Sequence, residues 1–316
     1  MIKYYFFPII LFLTLFTSCS SDDETLVNDV VRKMRMLTIT QVERDDATRS
    51  LVDLTRASLN KDEGGKTLTA SWTAGDPLAY CNLNYLFNSN LLPASSILGT
   101  LTAQSTAENS DFKGSIECAQ GDRIALAFPI NVSNISYNTN NATFTLDLRG
   151  QNGTLETLAN NYHFVCGIAD ITSVTDNTAS ATIQMKSLLT VCKFSFVDEN
   201  DKPILVKKLS ICYADKGYGD FGENTYPTST SITLSSGDIF ENVIAIGKLD
   251  PNEEILTIDN SNGLNEVYVA LFPTGTRDYK FSVMNDNGTF VGKATANLIA
   301  GKFVLGNLKL TKQTNN

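Results

Sequence analysis

Thr143-Phe144-Thr145-Leu146-Asp147-Leu148 carries an apolar side chain at every second position. Successive side chains of an extended chain point to opposite faces, so this segment has one buried face and one wet face, as in a layer of an antiparallel sandwich. Outward from it, the chain from Thr67 onward is a succession of short segments rich in Val, Ile, Thr, Phe and Tyr, separated by Gly, Asn, Asp and Ser clusters. Strands are predicted at residues 67–73, 123–128, 143–148, 181–185, 190–197, 208–213, 267–272, 279–284 and 304–310. Asp286-Asn287-Gly288 reads as a hairpin turn between two of these runs, because Gly tolerates positive φ. A short helix fits near Leu155 to Asn161, and the expected fold class is all-β.

With 316 residues, 42% hydrophobic and 19% charged, the chain can bury a large core, and its length suggests two domains of ordinary size. A net charge of -9 and a pI near 4.7 argue against nucleic acid as a partner, since phosphate binders concentrate Lys and Arg on one face. Lys3 followed by the apolar run 4–16, too short to span a bilayer comfortably, reads as an export signal over residues 1–18. The run stops at Phe16-Thr17-Ser18-Cys19, where small residues before a Cys suit a lipoprotein signal peptidase, although Phe16 stands where Leu is commonest. Cys19 then becomes the lipidated N-terminus, and several acyl chains anchor the protein where one would not. Ordinary signal cleavage with an incidental Cys19 is the alternative.

Residues 19–56 read as a tether rich in charge, with Arg32, Arg35, Arg44, Arg49 and Arg56 around one β-like stretch at 34–40. A further boundary is expected near Lys186, giving domains at 57–186 and 187–316. Beyond Cys19 five cysteines remain, Cys81, Cys118, Cys166, Cys192 and Cys212, an odd number without Cys-x-x-Cys spacing or a His cluster. Neither a zinc site nor a redox pair is expected, and the thiols read as small core hydrophobes.

Candidate chemistry is sparse. His163, the only histidine, sits in a strand-like run with no nucleophile or orienting acid nearby in sequence, and no Gly-x-Ser-x-Gly elbow occurs. Asp45-Asp46 and Glu253-Glu254 read as solvated loop charges. The glycine-rich stretch 215–222 lacks the Lys-Ser/Thr ending of a phosphate loop and reads as an exposed loop whose Tyr and Phe can meet a ligand. No catalytic residue, metal or cofactor is expected.

Several segments taken in order resemble the fimbrillin family, the subunits and relatives of type V pili. They are Thr55-Arg56-Ala57; Trp72-Thr73-Ala74-Gly75-Asp76-Pro77-Leu78, similar to the family's Trp-x-x-Gly-Asp signature; Phe112-Lys113-Gly114; and Gly121-Asp122-Arg123 with a strand ending in Phe128-Pro129. Val267 to Pro273 and the ending Gly301-Lys302-Phe303-Val304-Leu305 with Leu308-Lys309-Leu310 complete the set. One departure is that many members carry a His in the strand opening the second half, where Lys186-Ser187-Leu188-Leu189 has none.

The resemblance implies two transthyretin-like β-sandwich domains in tandem, a non-enzymatic role in a fimbrium, and assembly by strand addition between subunits. In such pilins a protease cuts after an Arg of the tether and the preceding strand leaves. Here the cut is expected after Arg56, with Arg49 second, and the removed strand is the one carrying Leu37 and Ile39 on one face. The donor strand is expected from Val304, Leu308 and Leu310, residues that serve equally well as the last strand of the second sandwich. The acidic cluster Ser20-Ser21-Asp22-Asp23-Glu24 resembles the surface-export signal of lipoproteins in the Bacteroidota, which implies a lipid-anchored protein on the cell outer membrane; a solvated tether is the alternative. The expected partners are other fimbrial subunits and the membrane. The competing function is a non-polymerising surface lipoprotein that binds a glycan or a host protein.

Overall fold

Alternation at period two becomes sheet over most of the chain in the computed structural model, which describes residues 32–42, 58–84, 97–138, 141–215, 223–235 and 255–314. In chain order come β1 (Lys33–Gln41), β2 (Ser58–Lys61), β3 (Leu68–Ser71), β4 (Pro77–Asn82), β5 (Leu98–Ala103), β6 (Asp111–Cys118), β7 (Arg123–Phe128), β8 (Ile135–Asn138) and β9 (Asn141–Asp147). A short helix α1 (Leu155–Asn161), capped by the Thr154 hydroxyl, precedes β10 (Val165–Val174), β11 (Thr178–Ile183) and β12 (Lys186–Ser187). Then follow β13 (Thr190–Val197), β14 (Val206–Tyr213), β15 (Ser229–Ser235), β16 (Leu256–Leu264), β17 (Val267–Leu271), β18 (Gly275–Asn285), β19 (Gly288–Leu298), β20 (Phe303–Lys309) and β21 (Thr311–Lys312).

The first sheet is eight-stranded, ordered β11-β1-β6-β5-β4-β7-β10-β12, and β10 also pairs with β11. That extra pairing closes a ring, with β12 outside it. Closure removes sheet edges, the main liability of an open β-structure. Every pair in the ring is antiparallel except β1 with β11, which run parallel. The Asn- and Thr-rich stretch 176–178, read from sequence as a loop before a domain boundary, lies at the turn of the β10–β11 hairpin.

The second half repeats this order in two pieces. A three-stranded sheet runs β17-β13-β20 and a five-stranded one β16-β14-β18-β19-β21. The ring of the first half, cut between β6 and β5 and between β11 and β10, reads β6-β1-β11 and β5-β4-β7-β10. The two sets correspond strand for strand in chain order, and the parallel pair β1–β11 has its counterpart in β13–β20. A third sheet, β15-β9-β8, joins the halves, because β9 lies between β7 and β10 while β15 lies between β14 and β16. Residues 32–316 form one compact unit.

Two cores result. The ring encloses Leu37, Ile39, Trp72, Leu78, Tyr80, Leu101, Phe112, Ile116, Ile124, Leu126 and their neighbours. The outer faces of β4, β7 and β10 carry Ala79, Cys81, Ala125, Ala127 and Cys166, which belong to the second core, continuous with β13, β14, β17 and β18. β4, β7 and the start of β10 are therefore buried on both faces, and their outer residues are small so that another layer can approach. The one-face-wet alternation expected at 143–148 holds in β9, and β1, β11 and β13 share it, whereas β4, β7 and β17 are buried almost throughout.

The hairpin between β18 and β19 turns on Asp286-Asn287, with Asn285 paired to Gly288 at φ +122. Gly114 in β6 lies opposite Leu37 of β1, and a Cβ there would stand 2.8 Å from Leu101 Cδ2 and 2.9 Å from the Thr100 carbonyl oxygen. Backbone cannot yield cheaply, so Gly114→Ala is expected to cost about 1–3 kcal/mol by urea denaturation.

The five cysteines among the described residues are free and buried. Burial pushes the Cys81 thiol up to about 12 and Cys118 to about 11, and it raises Cys166 and Cys192 further. The thiolate is the reactive form, so a raised pKa and closed access both suppress alkylation. At pH 8 the folded chain from Ser20 onward is expected to resist iodoacetamide, whereas all five thiols react in denaturant; mass spectrometry counts the adducts.

Candidate functional site

The strand read from sequence as a segment of the tether is built into the ring. β1 pairs with β6 from Lys33 to Thr40 and with β11 from Met36 to Gln41, so both of its edges are bonded. Arg35, Leu37, Ile39 and Gln41 point inward and are buried, while Met34 and Met36 are exposed on the outer face. Leu37 and Ile39, the residues that mark this strand in the sequence, are fully enclosed among the ring's apolar side chains. Burying each contributes roughly 1.5–3 kcal/mol.

Polar contacts hold both ends. Ahead of β1, Arg32 forms a two-pronged pair with Asp122, Nη2 to Oδ1 at 2.8 Å and Nε to Oδ2 at 3.1 Å. Asp122 is 2% exposed, and its Oδ2 also accepts from Asn82 Nδ2 at 2.9 Å and from the Ala119 amide at 3.0 Å. Gly121, at φ +85, makes the turn that aims this carboxylate inward. Arg35 donates to the Thr175 carbonyl at 2.6 Å and to that of Cys118. At the far end Gln41 Oε1 accepts from Trp72 Nε1 at 2.6 Å, both groups being buried.

Trp72 itself is wedged edge-on against Phe112 and Phe128, with ring centroids 4.9 and 5.4 Å away. The turn after it is fixed by Gly75 at φ +94 and by Asp76, whose Oδ2 accepts from the Thr73 amide at 2.7 Å. Partial burial raises the Asp76 pKa above the usual carboxylate value. Beside this turn lies a cavity of about 440 Å³ lined by Thr73, Asp76, Pro77, Ile130, Asn131 and Asn160 together with Phe128 and Pro129.

The other residues expected to act are placed as follows. The predicted donor strand is β20, an edge strand whose neighbour is β13 of the same half. Leu308 and Leu310 pack into the second core and Val304 lies partly buried against it. Cys19, Arg49, Arg56 and the glycine-rich stretch from 216 to 222 lie outside the described residues. His163 is fully buried. Arg32, Arg35 and Gln41 carry roles that sequence reading missed. The signal was the odd-numbered parity they share with Leu37 and Ile39, except for Arg32, which lies one residue before the strand.

Three of the first-half motifs therefore meet here: Trp72, Phe112 with Gly114, and Asp122 with Phe128 all touch β1 or the residue that holds it.

A scan against models of known protein families finds no match, and no curated protein matches the chain in sequence. Solved structures do resemble it. A candidate cell adhesion protein from Bacteroides uniformis is 12% identical, with 89% of this chain and 93% of its own covered, at a TM-score of 0.50. A candidate cell adhesion protein from Bacteroides ovatus is 11% identical over 90% of this chain and 97% of its own, at 0.49. A fimbrial protein from the same species is 12% identical over 90% of this chain and 51% of its own, at 0.36. At such identity the likeness to the Bacteroides uniformis protein is one of fold: an all-β arrangement similar along most of both chains.

Proposed function

We propose that the chain is a fimbrial subunit or fimbrillin-like surface component, anchored through a lipid on Cys19, in which β1 is a detachable strand. The observation that carries this reading is topological. β1 ends at Gln41 and the next strand among the described residues begins at Ser58, so one cut between them leaves β1 in place by non-covalent contacts alone. Its departure would open a slot between β6 and β11, with two free strand edges and an apolar floor, ready for a strand of another subunit. The cut falls after Arg56 or Arg49, and the candidate donor within this chain is the segment with Val304 and Leu308 of β20 and Leu310 just beyond it, to be weighed against strands of other subunits.

The strand order shared by the two halves supports two transthyretin-like sandwiches, at 57–186 with β1 added and at 187–316. The similarity in fold to a candidate cell adhesion protein of Bacteroides uniformis supports a role at the cell surface in assembly or adhesion rather than catalysis. The cavity beside Trp72 favours a second reading, a non-polymerising lipoprotein whose loops bind a glycan or a host protein.

The test is to treat purified residues 20–316 with an Arg-specific protease, sequence the new N-terminus and size the products without boiling. A polymerising subunit yields a clean N-terminus at Ala57 or Ser50 and ladders that resist detergent, and Arg56→Ala with Arg49→Ala abolishes both. A chain that stays whole, or stays monomeric once cut, overturns the detachable-strand reading in favour of the second.

A further inference from the structure

We infer that the β1 slot selects its occupant by two buried polar groups, Asp122 at one end and Trp72 Nε1 at the other, and that the chain's own C-terminal segment 303–312 does not satisfy them. The replacing strand is then a segment of a different subunit. It carries Arg or Lys at the position of Arg32, apolar residues at those of Leu37 and Ile39, and a hydrogen-bond acceptor at that of Gln41. This deepens the detachable-strand reading and rests on it.

Removal of β1 leaves behind a slot whose middle and ends differ in chemistry. The floor of the slot is apolar and accepts any alternating strand of suitable size. Its ends are not so permissive. Asp122 keeps Asn82 and the Ala119 amide but loses Arg32, its ion partner among the described residues, and a carboxylate buried again under a new strand without a counter-charge is strongly disfavoured. Trp72 is fully buried between Phe112 and Phe128, so its indole N–H cannot swing to water and needs an acceptor delivered by the strand. The two groups lie at opposite ends of β1, so together they also set register, since a two-residue slip keeps the faces but misses both pins.

Against this rule the candidate donor falls short. In the register that seats Leu308 and Leu310 at the positions of Leu37 and Ile39, running in the same direction, Phe303 falls at Arg32, Gly306 at Arg35 and Lys312 at Gln41. Asp122 then faces Phe303 in place of a cation, and Trp72 meets an ammonium group that only donates. Meanwhile β20 already serves its own half, paired to β13 through seven positions.

The experiment uses the full chain from Ser20, nicked between Gln41 and Ser58, with fluorescent peptides competing for the slot. The peptide 31–42 is expected to exchange in. Its Arg32→Ala and Gln41→Leu forms are expected to bind at least about tenfold more weakly, and peptide 302–313 more weakly still. In the Asp122→Ala protein the Arg32→Ala peptide should lose nothing relative to the parent, a coupling that general destabilisation does not produce. Equal binding of the variant peptides, or of 302–313, overturns the inference. Should no peptide enter because nicked β1 never leaves, the detachable-strand reading fails, and hydrogen exchange on the intact chain then decides the rest. Arg32→Ala and Gln41→Leu are expected to speed exchange of β1 amides at least about tenfold, and unchanged protection overturns the pins.

Discussion

The pairing of β1 with β6 on one side and β11 on the other closes the first half of this molecule, and most of its architecture follows from that seam. A sheet whose first strand sits between two later ones must bring the start of the chain into its middle. Here that strand is β1, and the next described strand, β2, begins at Ser58. β1 thus contributes two rows of backbone hydrogen bonds and two fully buried aliphatic side chains, while its covalent tie to the sheet passes through a single connection. Removing it would create two free edges at once and expose Phe112 and Ile116 to water.

The second half meets the same constraint differently. Its counterpart of β1 is β13, which is joined to β12 before it and β14 after it by short connections, so no single cut releases it. Its sheets stay open where the first half is closed. One edge, that of β17, is capped by the side chain of Gln151, which donates to the Ala270 carbonyl at 3.1 Å and accepts from the Ala270 amide at 2.8 Å, as a neighbouring peptide unit would. The edge strand β20 has β13 as its one neighbour in the sheet order. The two halves share a strand order and differ in which strand is secured, and this asymmetry is why the slot belongs to the first half.

Much of the fold was legible because period-two alternation is a local signal. β7 and β13 match the predicted runs at both ends, and the β18–β19 hairpin turns beside the Gly that was read as its signal. What could not be read is the pairing order, which depends on contacts between distant segments. The double burial of β4 and β7 was hidden for a related reason: Ala79, Cys81, Ala125 and Ala127 are inner residues because a further apolar cluster, drawn from segments distant in sequence, lies on that face. At the slot, Leu37 and Ile39 were legible as an apolar face. Arg32, Arg35 and Gln41 were not, because polar residues flanking a strand look like tether unless the buried partners, Asp122 and Trp72, are known.

The division of labour within β1 then has a physical logic. Apolar burial supplies most of the attraction and discriminates poorly, since one branched aliphatic side chain replaces another at a cost of about 1.5 kcal/mol or less. Buried hydrogen bonds add little net attraction but penalise a wrong partner heavily, because the group left behind has been taken out of water. A slot with an aliphatic middle and polar ends therefore separates how tightly a strand is held from which strand is accepted. In this chain the accepting groups are Asp122, fixed by Asn82 and the 119–122 turn, and Trp72, fixed by two phenyl rings. Both are held by residues outside β1, so the selectivity they impose is built into the slot and would persist after β1 has gone.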